Sequence, residues 1–328
     1  MNATANTRSP WRTRTTTSTG LRIRPPQINA RATFIAGRRF PRTMVLLVRF
    51  GELALKSRFV RRQLRDRLVA NIQDLFAAEG IECLTRADHG RIYVDVDDVP
   101  AASAALKRVF GIVSFSTAQE TSSDPKDIAE IAIRLARERV PDGGSFAIRP
   151  RRSGTHPYTS QDLAKGLGRQ IQEAFPKARV DLDSPDTEIH VEVRENRAFV
   201  FTDIVYGPGG LPLGSQGRGL ALVDSEAGMV AAWLAMKRGC RVTVATPDDS
   251  RAHEPLRRWD VHLKVLAWEA GIDVQDLVRV SRSEALFVGS RINEVEREKS
   301  SLDVPLFHPT IGLDDARLRE LADRVRSA

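Results

Sequence analysis

The chain offers chemistry in two dense groups of cations, one loop at a helix start and two lone cysteines. Arg149, Arg151 and Arg152 close the strand-like run SFAIRPRR, and Lys165 and Arg169 follow four residues apart on one helical face. Lys56, Arg58, Arg61, Arg62 and Arg65 form a second group at a turn and helix start. Cations spaced in this way neutralise successive phosphates of an RNA backbone, and Tyr158, between Pro157 and Thr159, is a ring suited to stacking on an unpaired base. An isolated group of this kind is ordinarily solvated surface, whereas two groups in a body that is otherwise near neutral argue for a polyanionic partner. Glu52, between them and β-like sequence, reads as a structural partner for a nearby cation rather than a catalytic acid.

The loop lies between the strand-like GLALV and the helix-like VAAWLAMKRG and reads Val223, Asp224, Ser225, Glu226, Ala227, Gly228. A phosphate-binding loop in this position needs glycines, so that backbone N–H groups approach the phosphates, and a positive local field from the helix N-terminus. Asp224 and Glu226 oppose a triphosphate while suiting the first turn of an ordinary capped helix. Only Ser225 and Gly228 remain as vestigial nucleotide contacts. The glycine-rich GPGGLPLGSQGRG precedes its strand instead of following it, and reads as a linker. Cys83 and Cys240 each sit in an apolar, strand-like run. Two distant cysteines make neither a disulfide framework nor a zinc site, no metal is expected, and a reducing, cytoplasmic setting suits them. Cys240 in particular reads as a small buried hydrophobe.

These groups need elements to position them. MVLLVRF from Met44 is a strand, and Phe59 to Glu79 carries apolar residues at helical spacing (Phe59, Leu64, Leu68, Ile72, Leu75, Phe76). IECLTRA and RIYVDV form a hairpin around Asp88-His89-Gly90, and a helix over Val99 to Val109 is expected to cap at Gly111. Pro125 to Arg139 is helical, SFAIRPRR is a strand, Ser160 to Phe175 is an amphipathic helix, and alternating strands joined at Glu195-Asn196 follow. From Leu220 the order strand, helix, strand recurs, which argues for a parallel α/β sheet. The expected organisation is α+β over residues 44–118 and 119–206, a linker over 207–219, and an α/β domain over 220–328.

The formal charge of +8 misleads until it is divided. Residues 1–43 hold nine arginines and no lysine or acid, which leaves 41 basic and 42 acidic residues in the body. The tail reads as a disordered basic arm, as a transit-peptide-like segment, or as sequence upstream of a true start at Met44; the strand opening at Met44 favours the last. No run is long and apolar enough for a membrane span.

Five stretches, in order, resemble the tRNA 4-thiouridine synthase family: VRFGELALKSR; RVFGIVSFS; SFAIRPRRSGTHPYTSQDLAKGLGRQI with VDLDSPDTEIHVEVR; GLPLGSQGRGLALV with its helix; and ALFVGSRINEVEREKSSLDVPLFHPTIGLDDARLRELA. The resemblance implies a ferredoxin-like domain, a THUMP RNA-binding domain and a pyrophosphate-loop ATP-pyrophosphatase domain that is shortened here, with tRNA as partner. It also implies losses. The family's Ser-Gly-Gly-x-Asp-Ser loop is replaced at residues 223–228, its Asp-Lys pair is Asp314-Asp315, and no cysteine follows Cys240 to carry sulfur. The expectation is therefore a tRNA-binding protein of tRNA thio-modification with no ATP cofactor of its own and no catalytic residue, working beside a complete paralogue. The alternatives are a THUMP adaptor presenting tRNA to another modifying enzyme, and a sulfurtransferase with a remodelled ATP site. Homodimerisation is left open.

Overall fold

The computed structural model describes residues 44–51, 57–88, 90–247, 250–269, 271–290, 292 and 302–327. The apolar run at Met44 forms β1 (Met44–Phe50), whose side chains alternate between two faces: Leu46 and Val48 pack beneath helices, Val45 and Leu47 point the other way. α1 (Arg58–Ala78) starts on Ser57, whose hydroxyl accepts from the Val60 amide, and buries Leu64, Leu68, Ile72, Leu75 and Phe76. Phe59 does not belong to that stripe. It sits in the first turn, ahead of the surface the helix covers, and is 68% exposed.

The hairpin of β2 (Cys83–Ala87) and β3 (Ile92–Val96) forms as expected, with the Asp88 carboxylate accepting from the Gly90 and Arg91 amides to build the turn; His89 lies outside the described residues. α2 (Val99–Leu106) ends three residues before Val109, because the Arg108 and Val109 amides turn back to Ala105 and Leu106. Gly111 is thus not its cap. At φ 99° it donates to the Gly209 carbonyl and leads the chain into β4 (Ile112–Ser122). β4 runs through the 118/119 position without a break. α3 (Pro125–Arg139), β5 (Ser145–Ser153), α4 (Ser160–Ala174), β6 (Arg179–Val180), β7 (Thr187–Arg194), β8 (Arg197–Phe201) and β9 (Val205–Tyr206) complete this half. Thr159 and Asp162 cap α4 reciprocally.

All nine strands belong to one sheet, in the order β2-β3-β1-β4-β8-β7-β5-β6, with β9 alongside β4. One face carries two helix-covered cores, Leu46, Val48, Ile92 and Val94 under α1 and α2, and Ile148, Val191, Val193 and Val200 under α3 and α4. The other face folds onto itself. Tyr93 on β3 stacks on Phe199 of β8 with centroids 5.0 Å apart, although three strand spacings would separate them by roughly 14 Å in a flat sheet. The sheet therefore bends around β4, and its two halves close over Val45, Leu47, Tyr93, Ala118, Phe199 and Phe201.

The remaining strands, β10 (Arg218–Leu222), β11 (Arg241–Thr246), β12 (Lys264–Ala267), β13 (Leu286–Phe287) and β14 (Leu306–Phe307), make the expected parallel sheet in the order β12-β11-β10-β13-β14. α5 (Glu226–Lys237), α6 (Val274–Ser281) and α7 (Asp315–Ser327) flank it. Phe110, from the connection before β4, enters the core of this domain, 5.0 Å from the Trp259 ring and 5.7 Å from Trp233. Residues 207–219 are packed along the body: Leu213 is buried, and its carbonyl accepts from Asn71 of α1.

Candidate nucleic-acid interface

The seam between the two half-sheets ends in a cluster of guanidinium groups around one carboxylate. Glu192 of β7, 5% exposed, is approached by Arg91 at 2.7 Å, Arg194 at 3.3 Å and Arg49 at 3.8 Å. Arg49 also donates to the Ser116 hydroxyl and lies over the Phe201 ring. Burial lowers its pKa to about 10; Glu192 opposes the drop, while Arg91 and Arg151 add to it. Asp88 answers Arg194 at 3.2 Å. Burial would raise its carboxyl, but the Tyr93 hydroxyl, the Gly90 amide and Arg194 hold it below the usual range. Burial pushes the pKa of His190, stacked on Phe201, below the usual imidazole range, helped by Arg49, Arg149 and Arg151 and opposed by Glu188. Four arginines thus face two acids at this end of the seam, which leaves an excess of positive charge. The opposite end is better balanced: Arg86 and Arg197 share Glu120, Arg86 also takes Asp95, and both guanidiniums lie over Tyr93.

Asp88 also joins the two cation groups that are widely separated in sequence. Its carbonyl accepts from Arg65 of α1, while its carboxylate holds Arg194, the register partner of Ser153 at the end of β5. The second turn of α1 and the end of β7, beside β5, are therefore tied to one turn. Arg58 and Arg62 are exposed there and Arg61 is half-buried; Arg62 pairs with Asp66. No acid occupies the first turn of α1. Cations at a helix N-terminus oppose its dipole by several tenths of a kcal/mol each, so this placement serves an anion better than it serves the helix. Lys56 and Glu52 lie outside the described residues.

Strand alternation splits the rest of the expected set. Arg149 and Arg151 sit opposite His190 and Glu192, on the seam side. Arg149 is engaged by Glu188 at 2.7 Å and by the Leu182 carbonyl, whereas Arg151 is exposed and has no ion-pair partner among the described residues. Arg152, Tyr158, Lys165 and Arg169 lie on the helix side, the last two exposed on α4. Arg152 meets the His156 ring nitrogen and lies over Tyr158, whose half-buried hydroxyl donates to the Ser123 carbonyl at 2.6 Å. Arg49 in β1, Arg91 just ahead of β3 and Arg194 at the end of β7 are far apart in sequence, and only the sheet's fold gathers them.

The helix-start loop caps its own helix. Ser225 caps α5 by accepting from the Gly228 amide, and Gly228 is buried where a Cβ would lie 2.5 Å from the Leu222 carbonyl. Gly289 presses against Ala227 and Gly228 from β13's end, where a Cβ would meet the Gly228 nitrogen at 2.2 Å. Glu226 pairs with Arg326 of α7. Asp224, Ser225, Glu226, Trp268, Gly289 and Ser290 line a cavity of about 500 Å³ at the carboxyl ends of the strands. Asp314 accepts from the Arg317 amide as a helix cap. Burial pushes the Cys240 thiol up, as it does that of Cys83, so neither is a ready thiolate. Among the described residues no helix is long and apolar enough to cross a membrane.

Residues 45–116 match the ThiI ferredoxin-like domain and residues 122–203 the THUMP domain. A probable tRNA sulfurtransferase of Methanosarcina acetivorans is 32% identical, the alignment covering 86% of this chain and 81% of that protein; its counterpart in Methanosarcina mazei is 30% identical over 86% and 82%. The crystal structure of PH1313 from Pyrococcus horikoshii superposes with a TM-score of 0.76 at 28% identity, covering 86% of this chain and 99% of that one. A 4-thiouridine synthetase solved with RNA and ATP shares the fold, with a TM-score of 0.73 at 21% identity and 86% and 85% coverage.

Proposed function

The chain belongs to the tRNA sulfurtransferase family, and on that basis we propose that it is a tRNA-binding protein of tRNA thiolation that does not itself activate the uridine with ATP. The domains are proposed as a ferredoxin-like unit over residues 44–118, a THUMP unit over 119–206 and an ATP-pyrophosphatase-like unit over 220–328, joined by 207–219.

The observation that carries RNA binding is that Asp88 ties α1, through Arg65, to the strand beside the end of β5, through Arg194, so that both cation-bearing elements are fixed to one turn. Arg58, Arg61 and Arg62 at a helix N-terminus, of which Arg62 pairs with Asp66, and Arg151 at a strand end present more positive charge than the nearby acids offset. Such an array holds phosphates spaced along an A-form backbone without reading sequence. Arg152, Lys165 and Arg169 extend it onto the helix side, and Lys56 lies two residues before Arg58 in sequence.

The absence of adenylation rests on donor geometry. A phosphate loop works through unobstructed N–H groups in a positive field. Here the Gly228 amide is taken by Ser225, and Asp224 and Glu226 stand at the same helix start. The chemistry then falls to a complete paralogue or another modifying enzyme, to which this chain presents tRNA. Sequencing the RNA that co-purifies with the full chain tests the proposal: enrichment of tRNA supports it, and recovery of RNA in the proportions of the lysate refutes it.

A further inference from the structure

Tyr206 is the exposed member of the chain's three tyrosines. Tyr93 is buried in the seam, and Tyr158 is half-buried with its hydroxyl committed to Ser123, whereas Tyr206 is 76% exposed. Its hydroxyl has no hydrogen-bond partner among the described residues. Its backbone, by contrast, is fixed. β9 pairs with β4 in the register Ser114–Tyr206, and the next amide, Gly207, donates to the Val113 carbonyl at 2.9 Å. The two strands run so close there that a Cβ on Gly207 would lie 2.4 Å from the Ile112 carbonyl. A large ring held in water on a rigid strand loses little entropy when something covers it.

The register also says what lies beside it. Ser114 pairs with Tyr206 on one side and with Arg49 on the other, so the three side chains share one row and one face of the sheet. Arg91 continues the row, one residue beyond the Val48–Ile92 pair, and Arg151, the register partner of Glu192, stands on the opposing half-sheet beside the carboxylate that Arg49 approaches. Two strand spacings, roughly 10 Å, separate the Arg49 and Tyr206 backbones, a gap that one nucleotide bridges between its phosphate and its base. The acids at hand, Glu192 and Asp88, are already shared among Arg49, Arg91 and Arg194.

We infer that the mouth of the seam is a single-nucleotide site, in which Tyr206 stacks on an unpaired RNA base while the exposed Arg151, backed by the positive field of Arg49 and Arg91, holds the adjoining phosphate. The inference rests on the tRNA-binding reading and adds the residue that distinguishes unpaired from paired RNA. A duplex buries its bases and offers only phosphates and ribose edges to the protein, so the ring contributes to binding only where a base is free.

The test uses the full chain and two labelled RNA hairpins of the same stem, one blunt and one carrying an unpaired overhang with 2-aminopurine in it. Binding is read by anisotropy and stacking by quenching of the 2-aminopurine. Tyr206→Ala is expected to weaken the overhang hairpin about tenfold, the usual size of one base–aromatic stack, to abolish the quenching, and to leave the blunt hairpin unchanged. Tyr206→Trp is expected to retain both affinity and quenching. Equal affinity of Tyr206→Ala and the parent for the overhang hairpin, with Arg151→Glu still weakening both RNAs, would overturn the stacking site and leave the RNA-binding proposal standing. A parent protein that binds neither hairpin would overturn both.

Discussion

Replacing Glu192 with Gln isolates the electrostatic economy of the seam. The substitution keeps the shape of the side chain and removes one negative charge from a position that is 5% exposed. At the three separations of 2.7, 3.3 and 3.8 Å, an effective dielectric of about 20 gives a gross attraction of roughly 15 kcal/mol. Desolvation of the charges and repulsion among the guanidiniums offset most of it. What remains is the cost of leaving buried cations uncompensated, about 3–5 kcal/mol for removal of one member of such a group. For a body of this size that corresponds to a fall in apparent Tm of roughly 6–10 °C. The shift should persist in high salt, since buried pairs are weakly screened. The same change adds one unit to the positive excess, so RNA affinity should rise while stability falls. Differential scanning fluorimetry and anisotropy on the same preparation report both. A Glu192→Gln protein that melts with its parent would refute the claim that this carboxylate organises the seam.

Three further outcomes are expected. ATP at millimolar concentration should give no calorimetric signal with or without tRNA, an affinity weaker than about −4 kcal/mol, and Ser225→Ala should lower stability by about 1 kcal/mol through removal of a helix cap; tRNA-stimulated AMP release abolished by Ser225→Ala would restore an active ATP site. Glu120 is held below the usual carboxylate range, because Arg86 and Arg197 outweigh the burial that would raise it; a depressed folded pKa stabilises above the unfolded value near pH 4 and loses that contribution as pH falls through the folded value. Acid unfolding should therefore shift less in Glu120→Gln than in the parent, and parallel curves would contradict the assignment. Phe110→Ala should cost about 3–5 kcal/mol and loosen the parallel-sheet domain, since Phe110 completes the Trp233–Trp259 cluster from outside it; unchanged tryptophan fluorescence would argue against that coupling.

Local pattern made much of the fold legible. The apolar spacing of Leu64, Leu68, Ile72 and Leu75 specified α1, and the alternation around Asp88 specified the hairpin, because each signal lies within one element. Phe59 and the length of α2 departed from expectation where the signal depended on what the helix end covers. The bend around β4 was not legible at all, since it rests on pairings between strands far apart in sequence. For the same reason the arginines at Glu192 were invisible as a group: Arg49, Arg91 and Arg194 belong to three separate stretches of the chain. The cation runs at residues 56–65 and 149–152 could be read directly, but not that strand alternation sends Arg151 and Arg152 to opposite faces. The carboxylates of the helix-start loop are visible in its sequence, whereas the capture of the Gly228 amide by Ser225 depends on backbone geometry that no residue pattern specifies.

The most direct test of the account is the salt dependence of tRNA binding by the full chain and by an Arg151→Glu, Arg152→Glu double variant. The logarithm of the association constant should fall linearly with the logarithm of salt concentration for both proteins. The variant should bind every tRNA more weakly, with a slope shallower by about two, one unit for each phosphate that is no longer neutralised. Identical affinity and slope in the two proteins would contradict the proposed interface.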